Sequence, residues 1–229
     1  MGKIDSAFWR GAAALFVGLF LMVVFFFVSA GRLDLPLAWF LFGLNFAGVV
    51  FLLAVTLKLN PAVVVVRSEI FKGGLRWWDK VFVVLYALSL YAIFIVCGLD
   101  VRFQLSSLGA EFLALGTIMF VSGVLILAWA MAENRFFEIG VRIQKERGHH
   151  VISSGPYAFV RHPGYLGMLL IYDCAPLILG SIYGLIPALL LACAFIFRTH
   201  YEDEALMKGL KGYKEYAKKV KYRLVPFVW

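Results

Sequence analysis

Charge is scarce in this chain: 16% of its 229 residues are Asp, Glu, Lys or Arg, against 62% hydrophobic. A soluble domain is roughly 45–50% apolar, so a soluble fold of this composition would lack a polar coat. Cysteine is scarce as well. Cys97, Cys174 and Cys193 fall inside apolar runs, and an odd set without C-x-x-C spacing argues against a disulfide framework or a metal knuckle. They read as packing residues. No G-x-G occurs anywhere, so the dinucleotide fingerprint is missing, and so is a Walker loop. Any cofactor is therefore expected in a membrane-embedded pocket rather than a Rossmann domain. His149-His150 has no further ligands at sensible spacing, so no metal is assigned.

What the chain has is hydrophobic length, with a mean hydropathy of +0.87. A crossing needs about 20 apolar residues. Six segments qualify or come near: Ala12–Ala30, Leu35–Leu57, Val81–Leu99, Phe112–Ala132, Tyr165–Leu179 and Ile182–Phe197. The last two are short and meet at Gly180-Ser181, which suggests a tight hairpin. Val28-Ser29-Ala30 resembles a cleavage site, but the apolar core before it is too long for a signal peptide. The expected fold is an all-α integral membrane protein, one helical bundle with no separate soluble domain.

The net charge of +8 is explained by where the charges sit. Of the 22 Lys and Arg, all but Arg32 and Arg102 lie at the N-terminus, in the second and fourth loops, or in the tail. Retention of basic residues on the inner side then places both termini in the cytoplasm, as an even number of crossings requires. The aromatics fall in the apolar runs rather than among the lysines, which excludes a nucleic-acid surface. Residues 133–162 and 198–229 thus flank the hairpin on the cytoplasmic side, and the hairpin brings them together.

Two polar clusters sit at that boundary. In Arg161-His162-Pro163-Gly164-Tyr165-Leu166-Gly167, proline suits a first helical position. The free N–H groups of that turn favour an anion. Gly164 and Gly167 allow close approach to backbone, and Tyr157 and Tyr165 offer aromatic faces to an adenine ring or a cation. Interfacial anchoring explains the same residues about equally well. The second cluster, Arg198-Thr199-His200-Tyr201-Glu202-Asp203-Glu204, tips the balance. Arg198 and Glu202 share a helical face beside the first cluster, more than a solvated ion pair requires. Leu206, Leu210, Tyr213, Ala217 and Val220 recur at helical spacing between lysines, as in a C-terminal cytoplasmic amphipathic helix on the membrane surface. Asp173, inside the fifth segment, either lines an acceptor pocket or bonds a neighbouring helix. Asn45 reads as glue between helices. Glu133 and Asn134 border the same cytoplasmic pocket.

Asn134-Arg135-Phe136-Phe137, Val141-Arg142-Ile143-Gln144, Gly155-Pro156-Tyr157, the run from Arg161 to Gly167, Glu202-Asp203-Glu204-Ala205-Leu206 and Tyr213-Lys214-Glu215-Tyr216 together closely resemble the isoprenylcysteine carboxyl methyltransferase family. The related phospholipid N-methyltransferases share the core pattern. The resemblance covers residues 133–229, a methyltransferase core behind the N-terminal transmembrane helices of residues 1–132. It implies S-adenosylmethionine as cofactor, with Tyr157, His162, Pro163, Tyr165, Gly167 and Glu202 as contacts. Many members have two adjacent glutamates where this chain has Glu202-Asp203, so Glu202 is the best match and the second acid is open. The implied reaction is methyl transfer to a lipid-borne or prenylated acceptor, first of all carboxyl O-methylation of an isoprenylcysteine-like group. A carboxylate needs no base but a cation to orient it, the role assigned to Arg198; an amine would need a proton acceptor, Glu202 or Asp203.

Two other readings stand beside it. The ending Val220-Lys221-Tyr222-Arg223-Leu224-Val225-Pro226 looks like the tail of membrane sterol reductases, which use NADPH. A membrane scaffold without cofactor is the third.

Overall fold

The computed structural model describes residues 6–60, 76–138 and 142–229. Lys3, Arg67 and Lys72 of the charge pattern and Val141 of the family motif lie outside them. Among the described residues all regular structure is helical: α1 Ser6–Ala30, α2 Pro36–Leu59, α3 Trp77–Phe103, α4 Ala110–Glu133, α5 Pro163–Asp173, α6 Ala175–Leu179, α7 Leu185–Gly209 and α8 Tyr213–Lys219. Single 3-10 turns lie at Lys145–Arg147 and Gly155–Ala158. Five helices are long and apolar enough to cross a membrane: α2, α3, α4, α7 and Trp9–Ala30 of α1. The protein is an integral, multi-pass membrane protein built as a helical bundle.

The hairpin differs from its sequence reading in one arm. The fifth segment is short, 163–179, and broken at Cys174 into α5 and α6. Pro176 explains the break: it has no N–H to give, and its ring crowds the carbonyl four residues back, at Tyr172. The sixth segment is a full 25-residue helix. Its hydrogen bonding continues past the apolar stretch, so Arg198, Glu202 and Asp203 lie within α7, with Arg198 and Glu202 on one helical face as their spacing predicts. Beyond α6, Gly180 turns the chain at φ +74°. Asp100 of α3 pins that turn by accepting hydrogen bonds from the hydroxyls of Ser106 and Ser181.

One core joins α1 to α7, centred on Phe26, Ile93, Phe94, Ile178, Leu191 and Phe195. Outward-facing residues such as Phe20, Leu88, Ile118 and Leu189 are large, apolar and exposed, as a lipid-facing surface requires. α4 and α5 meet at two glycines. A Cβ on Gly167 would stand 2.8 Å from the Gly123 carbonyl oxygen and 2.9 Å from the Leu127 nitrogen. Only glycine lets these backbones approach so closely. Asn45 is buried, but its Nδ2 donates to the Leu41 carbonyl of its own helix (2.9 Å) rather than bridging helices. Of the cysteines, Cys97 and Cys174 are buried and Cys193 is exposed.

The tail also differs from expectation. α8 has seven residues, and the apolar positions Leu210, Tyr213, Tyr216 and Val220 pack on Ile143, Val151, Leu206 and Met207. Protein, not lipid, covers the apolar face. The exposed side carries Lys214, Lys218 and Lys219.

Candidate functional site

The site forms where the polar stretch between α4 and α5 folds back under α7 and the tail. The 3-10 turn Gly155–Ala158 presents Tyr157 inward. Its hydroxyl accepts from Asn134 Nδ2 (3.0 Å), and its carbonyl accepts from the Tyr216 hydroxyl (2.7 Å). Asn134 is itself fixed: its side-chain oxygen accepts from the Phe136 amide at 2.9 Å, and its carbonyl accepts from Asn60 Nδ2 at 3.0 Å. Arg161 and His162 donate their amides to the carbonyls of Tyr222 and Arg223, both at 2.9 Å, so the tail is strapped along the entry to α5. Pro163 occupies the first turn of α5, and the His162 carbonyl accepts from the amides of Tyr165 and Leu166.

Glu202 and Asp203, adjacent in sequence, have separate jobs. Asp203 is fully buried. It accepts two hydrogen bonds from Arg161, both 2.9 Å, one from the Tyr213 hydroxyl at 2.8 Å and one from Arg223 Nε at 3.0 Å. His162 Nε2 lies 3.3 Å away. Arg161 spends its remaining donors on the carbonyls of Val220 and Lys221. This network ties α7, the α5 entry and the tail to one carboxylate. Burial first, and the Asp203 charge second, push the Tyr213 hydroxyl far above the phenol range, so it stays a donor. Burial likewise raises Tyr157 and Tyr216.

Glu202 points the other way. Its side chain is 19% exposed. It accepts a short hydrogen bond from the Tyr165 hydroxyl, and His162 Nδ1 lies 4.0 Å from its second oxygen. His162 and Tyr165 lie parallel, ring centres 5.7 Å apart. Behind Tyr165 stands Arg198, whose Nε donates to the Tyr165 hydroxyl (2.8 Å) and lies 3.9 Å from Glu202. The guanidinium sits 4.4 Å over the Phe82 ring and 3.4 Å from Asp79 of α3.

These groups open on a cleft between the α5 entry, α7 and the tail whose walls enclose ≈ 790 Å³, counting the open side. Tyr157, His162, Tyr165 and Glu202 all line it, together with Asn134, Phe136, Phe137 and Leu206. Of the other residues named from sequence, Pro163 starts the helix, Gly167 faces α4, and Arg198 does not line this cleft. Glu133 takes a hydrogen bond from the Ser154 hydroxyl. At the rim Arg142 forms a double hydrogen bond with Glu138, both 3.0 Å, where burial raises the carboxyl of Glu138. His149 stacks on Phe136 with ring centres 4.4 Å apart, and burial lowers it to about 4.

Sequence reasoning missed Asp79, the clamp role of Asp203 with Arg161, Tyr213 and Arg223, and the Glu138–Arg142 pair. Asp79 had one signal, an acid at the first turn of an apolar helix that follows a basic loop; the others had none beyond residue type.

Residues 115–208 match the Isoprenylcysteine carboxyl methyltransferase (ICMT) family, in agreement with the resemblance carried by the motifs. That family is one of membrane methyltransferases. The matched stretch runs from α4 through most of α7, so it holds Tyr157, His162, Tyr165, Arg198, Glu202 and Asp203 but neither Asp79 nor the tail. No curated protein matches the chain.

Proposed function

We propose that this protein transfers a methyl group from S-adenosylmethionine to a lipid-borne acceptor, the carboxyl group of an isoprenylcysteine-like molecule being the acceptor the family match favours. Residues 133–229 supply the chemistry, residues 1–132 frame it, and both termini are cytoplasmic. The observation that carries the reading is the position of the cleft against a second, apolar cavity. That cavity, ≈ 1150 Å³ on the same measure, lies among α1 to α5 within the membrane-spanning part. Leu127 and Met131 of α4 and Met168 and Tyr172 of α5 line it, while Asn134 and Tyr165, about one turn nearer the cytoplasm, line the cleft. Asn45 and Thr56 bond to carbonyls of their own helix, and apart from the hydroxyls of Tyr86, Tyr91 and Tyr172 the remaining lining is apolar, as suits hydrocarbon.

The lining of the cleft suits the cofactor in its chemistry. Phe136, Phe137 and Leu206 give an apolar wall for an adenine ring, Glu202 accepts from hydroxyl or ammonium groups, and the α5 entry at Gly164 suits a carboxylate. When bound, S-adenosylmethionine supplies an electrophilic methyl carbon on a positively charged sulfur. The protein's own work is alignment and exclusion of water. Tyr165 holds Glu202 in one position. Arg198, a buried cation 3.9 Å from Glu202, offsets the repulsion that carboxylate would exert on a second carboxylate arriving from the lipid side. With an amine acceptor, Glu202 instead takes the proton released as the N–C bond forms.

The test is transfer of labelled methyl from S-adenosylmethionine to a prenylcysteine analogue, phosphatidylethanolamine and a total lipid extract. Base-labile label in the prenylcysteine arm is the expected result. Label in phosphatidylethanolamine alone reassigns the acceptor to an amine, and label in none, with cofactor binding intact, rules out a lipid-borne acceptor.

A further inference from the structure

Asp79 lies outside the stretch that matches the family, yet it is 1% exposed and its carboxylate is 3.4 Å from Arg198. An acid in the first turn of a helix is usually explained by the helix dipole, which asks neither for burial nor for a partner on another helix. Arg198 can only donate. Its Nε donates to the Tyr165 hydroxyl at 2.8 Å, so that hydroxyl must send its one proton onward, to Glu202. The bond polarity thus runs in one direction, from Arg198 through Tyr165 to Glu202, and ends in the cleft. Glu202 also competes for the same guanidinium from 3.9 Å. On the far side of the guanidinium from Glu202 lie the opposite charge of Asp79, 3.4 Å away, and the Phe82 ring, 4.4 Å away.

We propose that Asp79 is a positioning residue for the transfer reaction: by holding Arg198 from behind, it keeps Tyr165 as the donor to Glu202 and Glu202 turned to the cleft. The inference rests on the methyl-transfer reading for its kinetic consequence but not for its structural one. Among the described residues, His162 at the α5 entry lies 4.0 Å from Glu202, and Asp203 is taken up by Arg161, Tyr213 and Arg223.

The experiment compares wild type, Asp79→Asn, Arg198→Met, the double variant and Asp79→Glu, purified in detergent. Melting is read first. If the two charges hold each other, the double variant loses less melting temperature than the two single losses added, because removing both charges strands neither. Kinetics follow: Asp79→Asn lowers kcat by roughly ten- to hundredfold and leaves the dissociation constant for S-adenosylmethionine within about threefold of wild type. Asp79→Glu recovers most of that kcat. Additive melting losses, wild-type kcat in Asp79→Asn, or no recovery in Asp79→Glu would each overturn the proposal. If Asp79→Asn does not fold, a folded double variant supports it and an unfolded one counts against it. A wild type that transfers no methyl group refutes the functional reading instead, and the melting cycle then judges Asp79 alone.

Discussion

Glu202 and Asp203 are one residue apart on α7, and the helix turns them about 100° from each other. That rotation sends one carboxylate into the cleft and the other into a buried set of four donor groups. The two substitutions to the amide should therefore fail in different ways. Glu202→Gln is expected to keep the fold and lower turnover by about a hundredfold. Asp203→Asn strands Arg161 in a buried site and should cost about 3–5 kcal/mol of stability, seen as a lower melting temperature before any assay. Nothing in the run Glu202-Asp203-Glu204 distinguishes these roles, because the partners that decide them, Arg161 and Tyr213, come from other parts of the chain. His149 gives a pH signature at the same scale. Burial, and then the neighbouring His150, lower it from 6.5 to about 4 in the folded protein. The unfolded chain takes up the proton more readily, so His149 contributes stability above about pH 6.5 that is lost as pH falls towards 4. Melting temperature followed from pH 7 to 4 should fall less steeply in His149→Gln than in wild type.

At the scale of elements, the contact of Gly123 with Gly167 sets how closely α5 lies on α4, and α5 carries His162 and Tyr165 at its start. A methyl group at Gly167 would press on backbone atoms, which cannot rotate away. Gly167→Ala should cost about 1–3 kcal/mol and lower turnover through a shifted Tyr165. Unchanged melting and turnover would mean that the two helices can separate freely. Gly167 was legible in sequence only as room for a ligand; that its neighbour is another helix depends on α4, more than forty residues earlier. The helix start at Pro163 was legible because proline, histidine and glycine act locally. The break at Pro176 and the full length of α7 were not. Hydropathy marks where a chain leaves hydrocarbon, whereas the helix continues as long as its backbone hydrogen bonds are made. The amphipathic tail was read correctly as apolar on one side, but periodicity does not say whether lipid or Ile143 and Val151 cover that side.

For the whole molecule, composition alone dictated the bundle, since so apolar a chain must satisfy its backbone within helices. The 20-to-2 division of basic residues between alternate loops is the basis of the proposed orientation. Single cysteines at the exposed positions Asp34 and Lys218, in a Cys193→Ser background, should report it in intact cells. A membrane-impermeant thiol reagent is expected to label Asp34→Cys at once and Lys218→Cys only after permeabilisation; the reverse pattern would put the cleft outside. Within that proposed orientation, the occupant of the cleft decides the account. The most direct measurement is a calorimetric titration of purified wild-type protein and Glu202→Gln with S-adenosylmethionine and, separately, with NADPH. The account predicts saturable binding of S-adenosylmethionine to wild type, weakened in Glu202→Gln, and no binding of NADPH. Saturable NADPH binding with none of S-adenosylmethionine would contradict it.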